Sequence, residues 1–285
     1  MKFSHKDADL FVPDGVAFEP AFRRTTQLAI GAHQDDLEIM AYSGIEACYQ
    51  NSNEWFGGIV VTNGSGSARA GAYADYTDEQ MRCVRFAEQR KAAVVGEYGF
   101  VAQLGYPSSD VRNGSEAAVD DLEKMLRVAQ PQTVYVHNPC DKHPTHIGTL
   151  KRALEALRRL SPNERPKHLY GVEVWRDLDW LDDSAKVVLR TDRRPGLAQA
   201  LIGIFDSQNT GGKRYDLAAP GRRLANATFF DSHAVDAVES ASFAMDLTPL
   251  LAGEQMEILE LVDTHLSKFR INVVGLLANQ EGCHG

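Results

Sequence analysis

Along the first two thirds of the chain, short apolar runs alternate with stretches whose apolar residues recur at helical spacing. Residues 27–33 (QLAIGAH) read as a buried strand and residues 36–50 as the helix behind it. Residues 56–62 (FGGIVVT) make a second strand, followed by a glycine- and serine-rich loop over 63–71. Thr77 and Gln80 form a capping-box signature that opens a helix running to about residue 98. Strands follow at 100–106, 133–138 and 168–175, with helices at 115–129 and 146–160 between them. After Trp175 the pattern loosens into a stretch containing Pro, Arg and Gly. A long helical pattern over 253–279 closes the chain, its Met256, Leu259, Val262 and Leu266 expected to pack inward.

Strands alternating with helices in this way predict right-handed βαβ units, hence an α/β fold with a mostly parallel sheet. No linker marks a boundary, so residues 1–285 read as a single domain. Its core spans about 25–175, and a C-terminal cap or extension spans about 176–285. In such a sheet, ligands bind beyond the carboxyl ends of the strands. His33, Asn63 and His137 fall at those ends.

Composition narrows the function. The chain has 285 residues, 44% of them hydrophobic, enough for a sizeable core. No apolar run approaches the roughly 20 residues that span a bilayer, so no membrane role is expected. The first fifteen residues are broken by charges and do not read as a secretory signal. Cys48, Cys83, Cys140 and Cys283 form no CxxC pair and are too sparse for a disulfide framework, which points to a reducing, cytoplasmic setting. The formal charge of −9 repels phosphate backbones, and no basic stretch is dense enough to offset it, so nucleic acid is not an expected partner. Gly64-Ser65-Gly66 lacks the remainder of a dinucleotide fingerprint, and the first βα turn carries acids instead of glycines. The sequence leaves homo-oligomerisation open.

The candidate chemistry lies in two short segments. In His33-Gln34-Asp35-Asp36-Leu37-Glu38, an imidazole and two carboxylates sit together at a strand end. Such a cluster costs free energy unless a cation or hydrogen bonds compensate it. His33 and Asp36, three apart across a strand-to-helix turn, can converge on one ion, which leaves Asp35 free to act as a base. The alternative is that Asp35 and Asp36 cap the following helix, but both cannot be the cap, and His33 is then unexplained. In the second segment, His137 ends a strand, Asp141 and His143 follow, and His146 opens the next helix. His146 would complete a His, Asp, His set, leaving a fourth position for water.

These residues resemble a known family. Ala32-His33-Gln34-Asp35-Asp36-Leu37-Glu38 is similar to the AHPDDxE signature of the PIG-L/LmbE-like zinc deacetylases, and His143-Pro144-Thr145-His146 to their later HPDH motif. Arg85, Glu88, Ala92 and Gly96 match the helix between the motifs, and Leu104-Gly105 followed by Asp110 the next strand and loop. The resemblance covers about residues 27–160. It implies a Rossmann-like three-layer sandwich and removal of an acetyl group from an N-acetylated amino sugar, of N-acetylglucosamine type, or its conjugate. It implies His33, Asp36 and His146 as metal ligands, Asp35 as general base and His143 as stabiliser of the transition state. Zinc is the expected ion, although iron(II) suits the same donors. Three positions depart from the pattern. Gln34 replaces a proline, Thr145 replaces an aspartate that orients the histidine, and Asp141 stands where some members have tyrosine. Asp141 is the expected replacement for the orienting role, with His137 a second support behind the ligands.

Arg69 and Asp110 lie in loops after the second and third strands, where they would hold sugar hydroxyls. Arg222, Arg223 and His233 are candidates for contacts from the last third. Two alternatives share the site: a hydrolase of another small-molecule amide, and a catalytically altered metal-binding member of the family.

Overall fold

In the computed structural model, which describes residues 1–252 and 256–281, the chain begins with strand β1 (Asp9–Phe11) and helix α1 (Phe18–Arg23). Then come β2 (Gln27–Gly31), α2 (Asp36–Met40), α3 (Tyr42–Cys48), β3 (Phe56–Thr62), α4 (Asp78–Val95) and β4 (Phe100–Tyr106). The middle is α5 (Ser108–Arg112), α6 (Glu116–Ala129), β5 (Thr133–His137), α7 (Pro144–Arg158) and β6 (His168–Val172). The last third holds β7 (Lys186–Arg190), α8 (Pro195–Gly203), α9 (Asp206–Asn209), α10 (Tyr215–Thr228), β8 (Ala241–Asp246) and α11 (Ile258–Glu281).

The eight strands form one sheet in the order β1-β4-β3-β2-β5-β6-β8-β7. Strands β2 to β6 are parallel to one another, while β1 runs antiparallel to β4 and β8 antiparallel to β6 and β7. The expected α/β fold with a mostly parallel sheet is therefore found. Its two faces are covered by separate apolar clusters, which makes three layers. Phe22, Leu122, Leu126 and Leu150 pack against one face, and Leu37, Ile45, Ala92 and Leu201 against the other. The chain runs outward from β2 through β3 to β4 in one direction, then returns to β5 and β6 on the other side of β2. The strand order thus reverses between β2 and β5, and a cleft opens beyond the carboxyl ends of strands at such a point.

Local chemistry explains some of the helix starts. Thr77 and Gln80 do form a reciprocal capping box on α4, and the Ser115 side chain caps α6. The predicted 36–50 helix is two helices, because Ala41 leaves helical geometry at φ −112°, ψ 21°. The expected helix over 253–279 is observed as α11, with 253–255 outside the described residues. Met256 packs on the core, yet Leu259 and Leu266 are 74% and 46% exposed, so the inward packing of that stripe does not hold. The helix meets the body through Ile258 and Leu261, one step round from the expected stripe. No described helix is long and apolar enough to cross a membrane.

Candidate metal and active site

The turn after β2 is unusually tight. A Cβ on Gly31 would lie 2.9 Å from the Asp36 Cβ, so only glycine lets the chain fold Asp36 back over the strand end. Asp35 takes left-handed geometry (φ 92°) at the start of α2, and its side chain makes no capping bond. Asp36 Oδ2 instead accepts the His33 N–H at 2.7 Å. The capping alternative thus fails to account for either carboxylate.

Across the switch point, His143 sits at the start of α7 and His146 within its first turn. The donor atoms of His33, Asp36 and His146 all lie within 4.8 Å of one another. His33 Nδ1 is 3.3 Å from His146 Nε2 and 3.5 Å from Asp36 Oδ2. His146 Nε2 is 3.5 Å from Asp36 Oδ1. A tetrahedral ion with ligand bonds of about 2.0–2.1 Å needs donors roughly 3.3–3.4 Å apart. The two imidazoles and the carboxylate therefore fit a zinc-type ion in spacing and in kind.

Protonation is set by burial and by the acids of the cluster: burial lowers His146, but Asp36 and Asp141 outweigh it and raise that histidine. Burial pushes His33 down to about 4, so its ring is neutral at ordinary pH. Burial opposes ionisation of Asp36, but His146 and His137 overcome it and hold that carboxylate well below its usual range. His146 Nδ1 lies 3.2 Å from Asp141 Oδ2, which accepts its proton and leaves the Nε2 lone pair facing the site. Asp141 also accepts the Trp175 N–H at 3.1 Å and the His143 N–H at 3.0 Å. The carboxylate expected to orient His143 through its ring thus holds the ring of His146 and only the backbone of His143. The reason is local: His143 Nδ1 is engaged as acceptor of the Thr145 N–H at 3.2 Å, which leaves Nε2 to carry the proton of the neutral ring. His137 stacks on His146 with ring centroids 3.7 Å apart, and its Nε2 accepts the Ala32 N–H at 2.9 Å. Burial pushes His137 down to about 4.

Asp35 faces the cleft beside this cluster. Its carboxylate is 3.1 Å from Arg85 Nη2 and its N–H donates to Gln89 Oε1 at 3.2 Å. Burial lifts Asp35 above the ordinary carboxylate range against the pull of Arg85. Arg85 also donates to the Gln34 carbonyl, so the α4 arginine holds both Asp35 and the turn that carries it. Gln34, which stands at the proline position, sends its amide inward to Gln103 Oε1 (3.1 Å) and the Thr62 carbonyl (3.3 Å). That pair of bonds pins the turn where a proline ring would stiffen it.

A cleft of about 700 Å³ covers the cluster, lined by His33, Asp35, Asp36 and His143 at its floor. His146 lies behind these, fully buried, as do His137 and Asp141. Neither Arg69 nor Asp110 reaches the cleft. The Arg69 guanidinium holds its own loop, donating to the Tyr76 carbonyl at 2.7 Å and pairing with Asp78, and Asp110 points outward from α5. Their places are taken by Arg112 and Ser108 of α5 and by Lys142, which sequence reasoning missed although Lys142 adjoins His143. Trp175 lines the cleft from the end of the core segment, and from the last third come Lys213, Tyr215 and Arg222, of which Arg222 is a candidate from the sequence. Arg223 is instead buried, donating to the Glu38 and Ile39 carbonyls at 2.7 and 3.0 Å, and His233 is exposed.

The fold and this cluster define a class: α/β proteins with a histidine–carboxylate cluster able to hold a metal at the switch point of a parallel sheet. A family model described as PIG-L, GlcNAc-PI de-N-acetylase, matches residues 28–157. The chain carries a PIG-L domain across those residues. Solved structures share the fold at low identity. One is the N,N'-diacetylchitobiose deacetylase of Pyrococcus horikoshii, 17% identical with TM-score 0.61, over 84% of this chain and 90% of that one. A conserved protein of Thermus thermophilus is 16% identical with TM-score 0.59, over 82% and 99%. A third, from Pseudomonas putida, is a 4-carboxy-2-hydroxymuconate hydratase, 15% identical with TM-score 0.59, over 81% and 100%. A search of curated protein sequences finds no match.

Proposed function

We propose that this chain is a metal-dependent N-deacetylase that removes acetyl from an N-acetylated amino sugar or its conjugate. The observation that carries the reading is the convergence of His33 Nδ1, Asp36 and His146 Nε2 beside Asp35, at the floor of a cleft and within the PIG-L match. The deacetylase among the structural neighbours agrees with it. His33, Asp36 and His146 would hold a zinc-type ion. Such an ion supplies Lewis acidity that acidifies water and polarises an amide carbonyl.

The protein's own groups do the proton work. Asp35 takes the proton from the attacking water. Its elevated proton affinity, set by burial, suits a base working near neutral pH. Arg85 and Gln89 fix its position, so little reorganisation accompanies the transfer. His143 presents an Nε2 proton to the developing oxyanion or the departing nitrogen, because the Thr145 N–H already claims its Nδ1. The whole chain acts as one unit, since the last third lines the cleft.

The test pairs metal analysis with acetate release from a panel of N-acetylated sugars. About one metal per chain is expected, with release abolished by a chelator. Asp35→Asn should lower kcat by about a hundred- to ten-thousand-fold at unchanged metal content. Wild-type turnover in Asp35→Asn would remove it as the base. Metal without release from any sugar would move the reading to another small-molecule amide.

A further inference from the structure

We propose that this chain forms a dimer through α11, with the helix of a second copy lying antiparallel along its exposed apolar seam. The seam includes the stripe that the sequence sets at helical spacing and the fold leaves uncovered. Leu259, Val262, Leu266, Phe269, Val273 and Leu276 follow one another at steps of three, four, three, four and three residues. All are exposed except Val262, which is half-buried. A helix that packs on a globular core carries a wider apolar face, whereas a strict alternation of three and four is the seam of a coiled coil. The occupant with the matching repeat is another copy of the same helix.

The body of the protein does not cover this seam. Ile258 and Leu261 anchor the start of α11, and the Trp180 ring meets Phe269 with centroids 6.3 Å apart. From Leu266 to Ala278, however, every residue is exposed, so this stretch stands clear of the layers around the sheet. Isolated helices of that length are marginal in water, and Gly275 lowers the helix propensity further. An exposed apolar patch of this extent marks an interaction surface, and covering it also holds the helix in shape.

Charge decides the direction. Counting Leu259, Leu266 and Val273 as the first position of the seven-residue repeat, Asp263 and Arg270 occupy the fifth and flank the seam. Both are exposed. In a parallel pair the fifth position faces the partner's seventh, which sets Arg270 against the partner's His265 with nothing to attract it. In an antiparallel pair fifth positions face each other. Asp263 then meets the partner's Arg270, and symmetry repeats the pair. The same arrangement stacks Leu259 on the partner's Leu276, Val262 on the partner's Val273 and Leu266 on the partner's Phe269. It runs for about 27 Å at about 1.5 Å per residue. Each helix contributes the same patch, as a two-fold dimer requires. A membrane surface is the poorer match. Between Ile258 and Ala278 the acids Glu260 and Asp263 offset the bases Lys268 and Arg270, which leaves no basic face for anionic lipid.

The test is the mass of the full chain by sedimentation equilibrium over a dilution series. A dimer with a dissociation constant below about 10 μM is expected. Leu266→Glu should raise that constant more than about a hundred-fold, since each dimer would bury the new charge twice. Ile271→Glu, at an exposed apolar residue off the seam, should leave it unchanged. Both residues are exposed in the single chain, so each variant should keep the fold, which circular dichroism would verify. Asp263→Arg and Arg270→Asp should each weaken self-association about ten-fold. A mixture of the two variants should regain it, because the altered charges then face their opposites. A wild type that is monomeric at about 100 μM would overturn the proposal. So would a dimer that Leu266→Glu and Ile271→Glu weaken alike. Failure of the mixed variants to pair would overturn the antiparallel order. Monomeric protein that floats with phosphatidylcholine–phosphatidylglycerol vesicles would assign the helix to a membrane surface instead.

Discussion

Asp141 touches none of the proposed metal's donor atoms, yet replacing it with asparagine should weaken metal binding by about ten- to a hundred-fold. Its Oδ2 accepts the His146 Nδ1 proton at 3.2 Å and the Trp175 N–H at 3.1 Å, and its Oδ1 accepts the His143 N–H at 3.0 Å. All three partners are donors. An asparagine keeps one oxygen, which is best placed toward His146 and Trp175. Its amide nitrogen then faces the His143 N–H, donor against donor. Leaving a buried N–H without an acceptor costs about 1–3 kcal/mol. The lost negative charge also makes the His146 ring a poorer base at Nε2. A ten- to hundred-fold loss corresponds to about 1.4–2.7 kcal/mol, and it has to come from the weaker His146 donor, because the unsatisfied His143 N–H costs the metal-free and metal-bound protein alike. Zinc affinity would be measured by competition against a chromophoric chelator, with kcat at saturating metal measured separately. Wild-type affinity in Asp141→Asn, even with a lowered melting temperature, would refute the reasoning. It would show that Asp141 staples the loop without tuning the ligand.

Two further outcomes follow from packing and burial. Gly31→Ala would place a methyl 2.9 Å from the Asp36 Cβ and 3.2 Å from Leu37 Cδ2. Overpacking there should cost about 1–3 kcal/mol in urea denaturation and displace Asp36 enough to weaken metal binding; an unchanged midpoint would show that the turn can relax. Cys48 should resist thiol reagents in the native protein, because burial pushes its thiol up to about 12, and at pH 8 only about one molecule in ten thousand is thiolate. The sign follows from a raised thiol, whose ionised form, disfavoured in the fold, becomes common only as pH climbs toward 12. Peptide mapping after alkylation at pH 8 should find exposed Cys83 labelled and Cys48 protected, with Cys48 labelled only in denaturant. Equal labelling of the two in folded protein would contradict the burial.

The parts of the molecule that could be read from sequence are those whose geometry is set within a few residues. His33 and Asp36 meet because a strand-to-helix turn brings residues three apart together, and Thr77 with Gln80 caps a helix by the same kind of local rule. The parallel core follows from long alternating runs. Strands β7 and β8 are not visible in the sequence, because they are set between irregular segments and their placement depends on long-range pairing, β8 with β6 and β7 with β8. The cleft wall fails for the same reason. Arg69 is a reasonable choice as a loop cation after β3, but its own loop carbonyls claim it, while Lys213 and Tyr215 arrive from a loop and helix far along the chain. Nothing near those residues in sequence signals that β5 and α7 will lie opposite them. This division has a physical consequence for the site. The groups proposed to do the chemistry, His33, Asp35, Asp36, His143 and His146, sit in the turns and first helical turns that follow the central parallel strands β2 and β5, where the sheet fixes them to one another. Trp175, Lys213, Tyr215 and Arg222 sit on elements that the antiparallel margin of the sheet holds over the cleft. Changes in that margin can therefore alter which substrate is held without moving the reacting groups, so the motifs identify the chemistry far better than they identify the molecule it acts on.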